Sequence, residues 1–217
     1  MTAADQIRLT MPEISALSLR AARGAGLDWG MAEECASAAT WLAAHQFNWA
    51  NAVLHQLETP MSRQVIPAIG RWHADEPVCG LHVGATLSDF ACLPEGPGFG
   101  ALSLGPINGP LMLVPFVVRA AKQLDTAFDV SLGAPPWLRV SGDCVQVLAG
   151  RAGPEMIAEV TIGPTRHAPD PPHNAADQNA VVSRDQYDRL DRLALKMTVP
   201  SSALSAKGAG GLGLDDD

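Results

Sequence analysis

The sequence predicts an α+β fold in which short N-terminal helices pack on a mainly antiparallel sheet, followed by a C-terminal helix and a Gly-rich acidic tail. Helical spacing of apolar residues dominates positions 10–58, whereas β-prone runs between glycines and prolines dominate positions 78–163. The two patterns are segregated and not alternated, which favours α+β over a regular βαβ repeat. The 217 residues include 20 Gly and 17 Pro, so short elements are expected.

Three helices are predicted in the N-terminal region. Thr10 with Glu13 three positions later forms a capping box, and Pro12 is tolerated in the first turn of a helix. Asp28 is positioned to cap the second helix, and Asn48 begins the third.

Short strands are expected in the middle of the chain. The runs "VCGLHVGATLS", "GALSLGPI" and "PLMLVPF" read as strands, with a helix over residues 118–124. Further strands are predicted for "AFDVSL", "WLRVSGDCVQVL" and "MIAEVTI". Ser141, Gly142 and Asp143 lie between two alternating runs, which predicts a β-hairpin turn.

The chain is predicted to divide into a main α+β unit and a C-terminal extension. The main unit spans residues 1–163, with helices over about 10–58 and the sheet over about 78–163. Residues 164–182 form a Pro-rich loop or linker, since "PTRHAPDPPHNAADQN" contains almost no apolar residue. Residues 183–217 hold a C-terminal helix, which a Ser183–Gln186 capping box begins, and a tail packed on the main unit.

Composition disfavours several classes of partner. The net charge of −8 argues against nucleic acids and against anionic membrane surfaces. The longest strongly apolar run, residues 111–118, is too short to cross a membrane, and the opening "MTAADQIRLT" has no apolar signal core. A cytoplasmic location is therefore expected.

The four cysteines, at positions 35, 79, 92 and 144, are interpreted as buried, reduced thiols. Cys79 and His82 have the spacing of a metal-ligand pair, and His73, Asp75, Glu76 and Cys92 are nearby in sequence. A structural zinc site needs a second pair of ligands, which the sequence lacks. The pattern therefore favours buried thiols over a zinc site.

Two Gly-rich segments match the spacing of a dinucleotide-binding loop. Gly208, Gly210 and Gly213 fit it, but only residues 214–217 follow, so no helix can hold a pyrophosphate. Gly96, Gly98 and Ala101 fit a relaxed version, yet β-prone residues follow and a loop between strands is expected. A nucleotide cofactor is therefore judged unlikely.

The candidate catalytic residues are Arg20, Arg23, His82 and Asp89. Arg20 and Arg23 have guanidinium groups that could bind a carboxylate substrate. The alternative is that both lie on the solvated face of the first helix. Asp89 is expected in an apolar strand-like context, where a carboxyl group acts in catalysis or caps a turn. The candidate metal ligands are Asp215, Asp216 and Asp217, whose carboxylates would chelate a divalent cation or form a solubilising tail.

Two segments resemble a bacterial family called domain of unknown function 3726. Residues 19–44, "LRAARGAGLDWGMAEECASAATWLAA", are similar to its opening helix, Gly-Ala-Gly turn and second helix. The segment "TVPSSALSAKGAG" and the Asp-rich residues after it resemble the C-terminal segment of the family. The family has a Ser-Arg pair before the glycines, whereas this chain has Ser205, Ala206 and Lys207, which displaces the cation by one position. Asp216 stands where an amide is expected. The resemblance implies that the tail belongs to the domain, and it implies no activity.

Two functions remain open at this level. The first is a cytosolic accessory or subunit protein in small-molecule metabolism, whose C-terminal tail joins a second copy or a partner subunit. The alternative is a small enzyme acting on a polar or carboxylated metabolite, with a divalent metal as a further requirement. No catalytic motif in the sequence decides between them.

Overall fold

A computed structural model describes residues 5–149, 156–167 and 179–197 of the chain. Within these residues the helices are α1 (Met11–Gly24), α2 (Trp29–Ala44), α3 (Trp49–Glu58), α4 (Gly80–Phe90), α5 (Val114–Leu124) and α6 (Arg184–Leu195). The strands are β1 (Gln6–Thr10), β2 (Val78–Cys79), β3 (Leu102–Asn108), β4 (Ala127–Leu132), β5 (Pro136–Ser141), β6 (Cys144–Val147), β7 (Ile157–Thr165) and β8 (Asn179–Ser183).

The described strands form a six-stranded sheet and a two-stranded sheet. The larger one has the order β2-β3-β7-β4-β5-β6, and its pairings are antiparallel except for that of β2 with β3. The smaller sheet pairs β1 with β8 in antiparallel register. The predicted α+β class is thus confirmed, as is the hairpin between β5 and β6.

The three N-terminal helices begin where their capping residues predict. Thr10 and Glu13 form the reciprocal capping box of α1, and Asp28 accepts a hydrogen bond from the Met31 backbone at the start of α2. Asn48 caps α3 in the same manner through its side-chain oxygen. Short polar side chains thus satisfy backbone N–H groups that the first turn of a helix leaves without partners.

Two segments predicted as strands are helical, and this prediction was wrong. Most of "VCGLHVGATLS" forms α4, and "PLMLVPF" forms a 3₁₀ turn (Pro110–Leu113) that leads into α5. Every residue of 111–118 is buried, so no polar face marks the helical period there. In α4, a Cβ at Gly84 would lie 2.3 Å from the Phe116 ring, so this glycine permits α4 and α5 to pack closely.

Helices α4 and α5 connect the sheet to the other helices. They contact strands of the larger sheet, and α2 packs against both of them. Helix α6 packs against α1 and α3 and so brings the end of the described chain back onto the N-terminal helices. The core therefore continues from the sheet through α4 and α5 to the N-terminal helices.

Both described ends of the predicted loop at 164–182 lie in strands. Strand β7 continues through Thr165, and β8 begins at Asn179. Ser183 and Gln186 then form the reciprocal capping box of α6. The division of the chain at these positions stays a prediction, and residues 198–217 lie outside the described part.

None of the described helices has both the length and the apolar character that a membrane crossing requires.

Candidate functional site

The candidate site lies where β2 ends and α4 begins. Cys79 is the last residue of β2, and Gly80 opens the helix. A Cβ at Gly80 would lie 2.4 Å from the carbonyl oxygen of Gly109, so only glycine fits without displacement. Gly109 itself has a φ of 70°, in the left-handed region. The two glycines set the close approach of α4 to the loop after β3.

Cys79 and His82 come together on the first turn of α4. Residues three positions apart lie on the same face of a helix, and the Cys79 Sγ is 3.3 Å from the His82 Nδ1. Cys79 is only 4% exposed, whereas His82 is half-buried. The pair therefore combines a thiol with a group that can accept its proton.

Gln56 on α3 fixes the other side of the thiol. Its Oε1 accepts hydrogen bonds from the Cys79 Sγ at 2.9 Å and from the Leu81 backbone N–H at 3.1 Å. Its Nε2 donates to the Asn108 carbonyl oxygen at 3.3 Å. One buried amide thus joins α3, α4 and the end of β3, and its donor and acceptor ends cannot exchange without loss of these bonds.

The polar network extends from Gln56 to a second histidine. The His55 Nε2 lies 2.7 Å from the Asn108 Oδ1, and the His55 Nδ1 lies 3.3 Å from the Thr59 Oγ1. Asn108 therefore contacts both His55 and Gln56. A connected chain of polar groups runs through the network from Thr59 to His82.

The environment of the pair favours its neutral form. Burial raises the pKa of the Cys79 thiol, while backbone hydrogen bonds from His82 and Leu81, and the charge of Arg63, lower it in part. Burial also lowers the pKa of His82, as does Arg63, against a smaller opposite effect of Asp28. A neutral imidazole is the form that can take a proton from the thiol.

The pair borders a cavity of about 380 Å³. Its walls come from the end of α3 and the segment that follows it, the start of α4 and the turn before α2. They comprise Leu27, Gln56, Leu57, Glu58, Thr59, Pro60, Met61, Arg63, Cys79, Leu81 and His82.

Of the predicted catalytic residues, His82 lines this cavity. Arg20 is exposed on α1 and donates to the Ala16 carbonyl at 3.3 Å, within its own helix. Arg23 donates to the Leu27 carbonyl and lies 4.7 Å from the centre of the Trp29 ring, so it closes the turn between α1 and α2. Asp89 is exposed near the end of α4, a helix rather than the expected strand.

The remaining predicted sites are placed as follows. Across the described residues, no three His, Cys, Asp or Glu side chains converge as a metal site would require. Gly96 precedes a 3₁₀ turn (Pro97–Phe99) between α4 and β3, and Gly98 lies within this turn. The candidate ligands Asp215, Asp216 and Asp217, and the glycines from Gly208, lie outside the described residues.

The cysteine prediction was right in part. All four cysteines are free, and Cys35 and Cys79 are buried, but Cys92 is exposed and Cys144 is half-buried. Cys92 is exposed because it lies in a surface turn that follows the end of α4. This helix was not predicted from the sequence.

Gln56, Asn108 and Arg63 were not predicted as site residues from the sequence, and Cys79 was predicted as a buried thiol, with a metal ligand as the less favoured alternative. The signal for the pair was its spacing, because positions i and i+3 face the same way once the segment is recognised as a helix. Gln56, Asn108 and Arg63 carry no such signal, since each lies on a separate segment.

Comparison with known proteins gives a family match. No curated protein and no solved structure shows significant similarity to the chain. The sequence model described as "Protein of unknown function (DUF3726)" matches residues 9–90, a stretch that contains Gln56, Arg63, Cys79 and His82. The resemblance of this chain to the DUF3726 family is thereby confirmed over those residues.

Proposed function

We propose that the protein is an enzyme that uses Cys79 as a nucleophile and His82 as a general base on a small acyl compound. The observation that carries this proposal is the 3.3 Å approach of the Cys79 Sγ to the His82 Nδ1 on the wall of a cavity. This proposal extends the hypothesis of a small enzyme that acts on a polar or carboxylated metabolite. It adds Cys79 to the predicted site and omits Arg20, Arg23 and Asp89.

The chemistry balances with these two groups and water. The Cys79 S–H turns from the Gln56 Oε1 toward the His82 Nδ1. The sulfur then attacks the acyl carbon as the thiol proton passes to His82, and an S–C bond forms. The leaving group then takes that proton from His82 and departs, which leaves a thioester on Cys79. Water, deprotonated by His82, hydrolyses the thioester and restores the thiol.

The start of α4 assists the attack. Backbone N–H groups at a helix N-terminus stabilise a thiolate, and those of Leu81 and His82 already lower the pKa of the Cys79 thiol. Burial has the larger, opposite effect. The thiolate is therefore expected to form during attack, when His82 accepts the proton, and not in the resting protein.

The setting of this enzyme is part of the proposal. Four free cysteines support a reducing compartment, for which the cytoplasm is the simplest assignment. The net charge of −8 supports small molecules over nucleic acids as substrates.

Acylation by p-nitrophenyl acetate tests the proposal. We expect a burst of p-nitrophenolate and one acetyl group that mass spectrometry locates on Cys79. Cys79→Ala abolishes the burst, and His82→Gln slows acylation by about a hundredfold, the lower range for loss of a general base. Cys92→Ala is the matched control, since it removes an exposed thiol and leaves the burst intact. No acetylation of Cys79, or an unchanged burst in Cys79→Ala, would overturn the proposal.

The accessory-protein hypothesis concerns a different part of the chain. It rests on the composition of residues 201–217, which lie outside the described part, and proposes that this tail joins a second copy or a partner. Light scattering of the full chain and of a variant ending at Pro200 tests it. A change in mass on truncation supports the hypothesis, and an unchanged monomer counts against it.

A further inference from the structure

The cavity beside Cys79 has one basic side chain whose role the network above does not explain. Arg63 lines this cavity and is exposed, in the segment between α3 and β2. Among the described residues, it forms neither a side-chain hydrogen bond nor an ion pair. A guanidinium group presents a planar fork of donors that suits a carboxylate, so an unpaired one on a cavity wall is an anion receptor.

Among the described residues of the cavity wall, the one carboxylate is that of Glu58, and it already has a partner outside the cavity. Glu58 pairs with Arg189 of α6 through two contacts, one of which joins the Arg189 Nε to the Glu58 Oε1 at 3.3 Å. This pairing offsets the charge of Glu58 and holds its carboxylate toward α6. The partner of Glu58 is thus Arg189 and not Arg63, and the positive charge of Arg189 weakens the repulsion between Glu58 and an anion in the cavity.

The charge of Arg63 acts on both reacting groups. It lowers the pKa of the Cys79 thiol and that of His82. Because Arg63, Cys79 and His82 line the same cavity, an anion bound to Arg63 would share that cavity with both reacting groups. Such an anion would also offset the guanidinium charge and make His82 a stronger base when substrate is present.

We propose that Arg63 binds a carboxylate group of the substrate and so restricts the site to small anionic acyl compounds. This inference rests on the proposed function, because it assigns the substrate class of the same cavity. The cavity volume of about 380 Å³ suits a metabolite and excludes a folded macromolecule.

A matched pair of alkylating reagents tests the charge preference without knowledge of the substrate. Iodoacetate and iodoacetamide both form an S–C bond as iodide leaves with the bonding electrons, and they differ in carrying a carboxylate or a neutral amide. Peptide mapping by mass spectrometry gives the rate at each cysteine. We expect the iodoacetate-to-iodoacetamide rate ratio at Cys79 to exceed that at the exposed Cys92 by about tenfold, as charge focusing in a cleft produces.

Substitutions distinguish the effect of the Arg63 charge from the effect of the net charge of the protein. Arg63→Gln is expected to lower the ratio at Cys79 to the Cys92 value, whereas Arg63→Lys retains part of the preference. Arg20→Gln, which removes the same charge from an exposed position on α1, leaves the ratio unchanged.

The outcomes distinguish this inference from the proposed function. If Cys79 reacts with both reagents at the Cys92 ratio, or if Arg63→Gln keeps the preference, the inference is overturned and the nucleophile stands. If Cys79 reacts with neither reagent in the folded protein, the proposed function is overturned together with the substrate class that rests on it.

Discussion

Cys35 and Cys79 are two buried thiols in the same helical core, yet their surroundings differ. Cys35 lies within α2, is fully buried, and forms no hydrogen bond that involves the described residues. Burial raises the pKa of its thiol to about 12. Cys79 is nearly as buried but contacts Gln56 and His82 at the start of a helix. Burial alone makes a thiol inert, and polar neighbours beside a cavity are what distinguish a candidate nucleophile.

The largest expected effect is a difference in thiol reactivity. With a pKa of about 12, only about one Cys35 thiol in ten thousand is ionised near pH 8. We expect iodoacetamide to alkylate Cys79 at least about a hundredfold faster than Cys35 in the folded protein. A mass-spectrometric time course measures both rates, with the exposed Cys92 as the reference thiol. Equal rates at Cys35 and Cys79 would remove the contrast between the two sites.

Removal of the amide between α3 and α4 is expected to destabilise the fold most. Gln56→Leu replaces the amide with an apolar side chain of similar size and leaves the Leu81 N–H and the Asn108 carbonyl oxygen without this partner. We expect a loss of about 3 kcal/mol in the free energy of unfolding, measured by urea denaturation. Gln123→Leu is the control, because Gln123 is exposed and the change is expected to stay within about 0.5 kcal/mol. A similar small loss for Gln56→Leu would show that the network adds little stability.

A methyl group at the start of α4 tests the geometry of the site. Gly80→Ala places a Cβ against the Gly109 carbonyl oxygen, and overpacking of this kind costs about 1–3 kcal/mol. Gly30→Ala is the matched control in the first turn of α2, where the nearest atom to a new Cβ is 3.7 Å away. That substitution is expected to be neutral or slightly stabilising. Equal effects of the two changes would contradict the close approach at Gly80.

The smallest expected effect concerns pH. The pKa of His82 is lower in the folded protein than the value of about 6.5 that an unfolded chain has. Between these two values the unfolded state binds more protons, so stability falls as pH is lowered through that window. His82→Gln lacks this contribution, and its unfolding midpoint is expected to depend less on pH between about 7.5 and about 5. Parallel pH profiles for the two proteins would refute the assignment.

The features that sequence could predict are those set by local chemistry. The caps at Thr10, Asp28 and Ser183 follow from side chains that bond the backbone three positions on, and the β5–β6 hairpin follows from a short glycine turn. Helix α4 was missed because two glycines and β-branched residues disfavour a helix, and its packing against Phe116 overrides that preference. The helix predicted over residues 118–124 forms the C-terminal part of α5. The first turn of α5 was missed because every residue of 111–118 is buried, so no polar face marks the helical period there.

The candidate site could be predicted only in part, because some of its residues are brought together by tertiary packing and not by local sequence. Cys79 and His82 lie on one helical turn, so their spacing was visible in the sequence. Gln56 and Asn108 reach the thiol through the packing of α3 and β3, and Arg63 enters from the irregular segment between α3 and β2. No local pattern records such contacts, since they depend on how distant segments fold together.

The contact between Gly80 and the Gly109 carbonyl has a consequence for recognition. The backbone of Gly80 packs directly against the backbone of Gly109. The first turn of α4 therefore cannot shift toward this loop when a ligand binds. Cys79 is therefore a fixed reference point, and a ligand must match its position. Homologous compounds that differ by one methylene should then differ sharply in turnover and only weakly in affinity, because an imperfect fit misaligns the reacting carbon before it prevents binding.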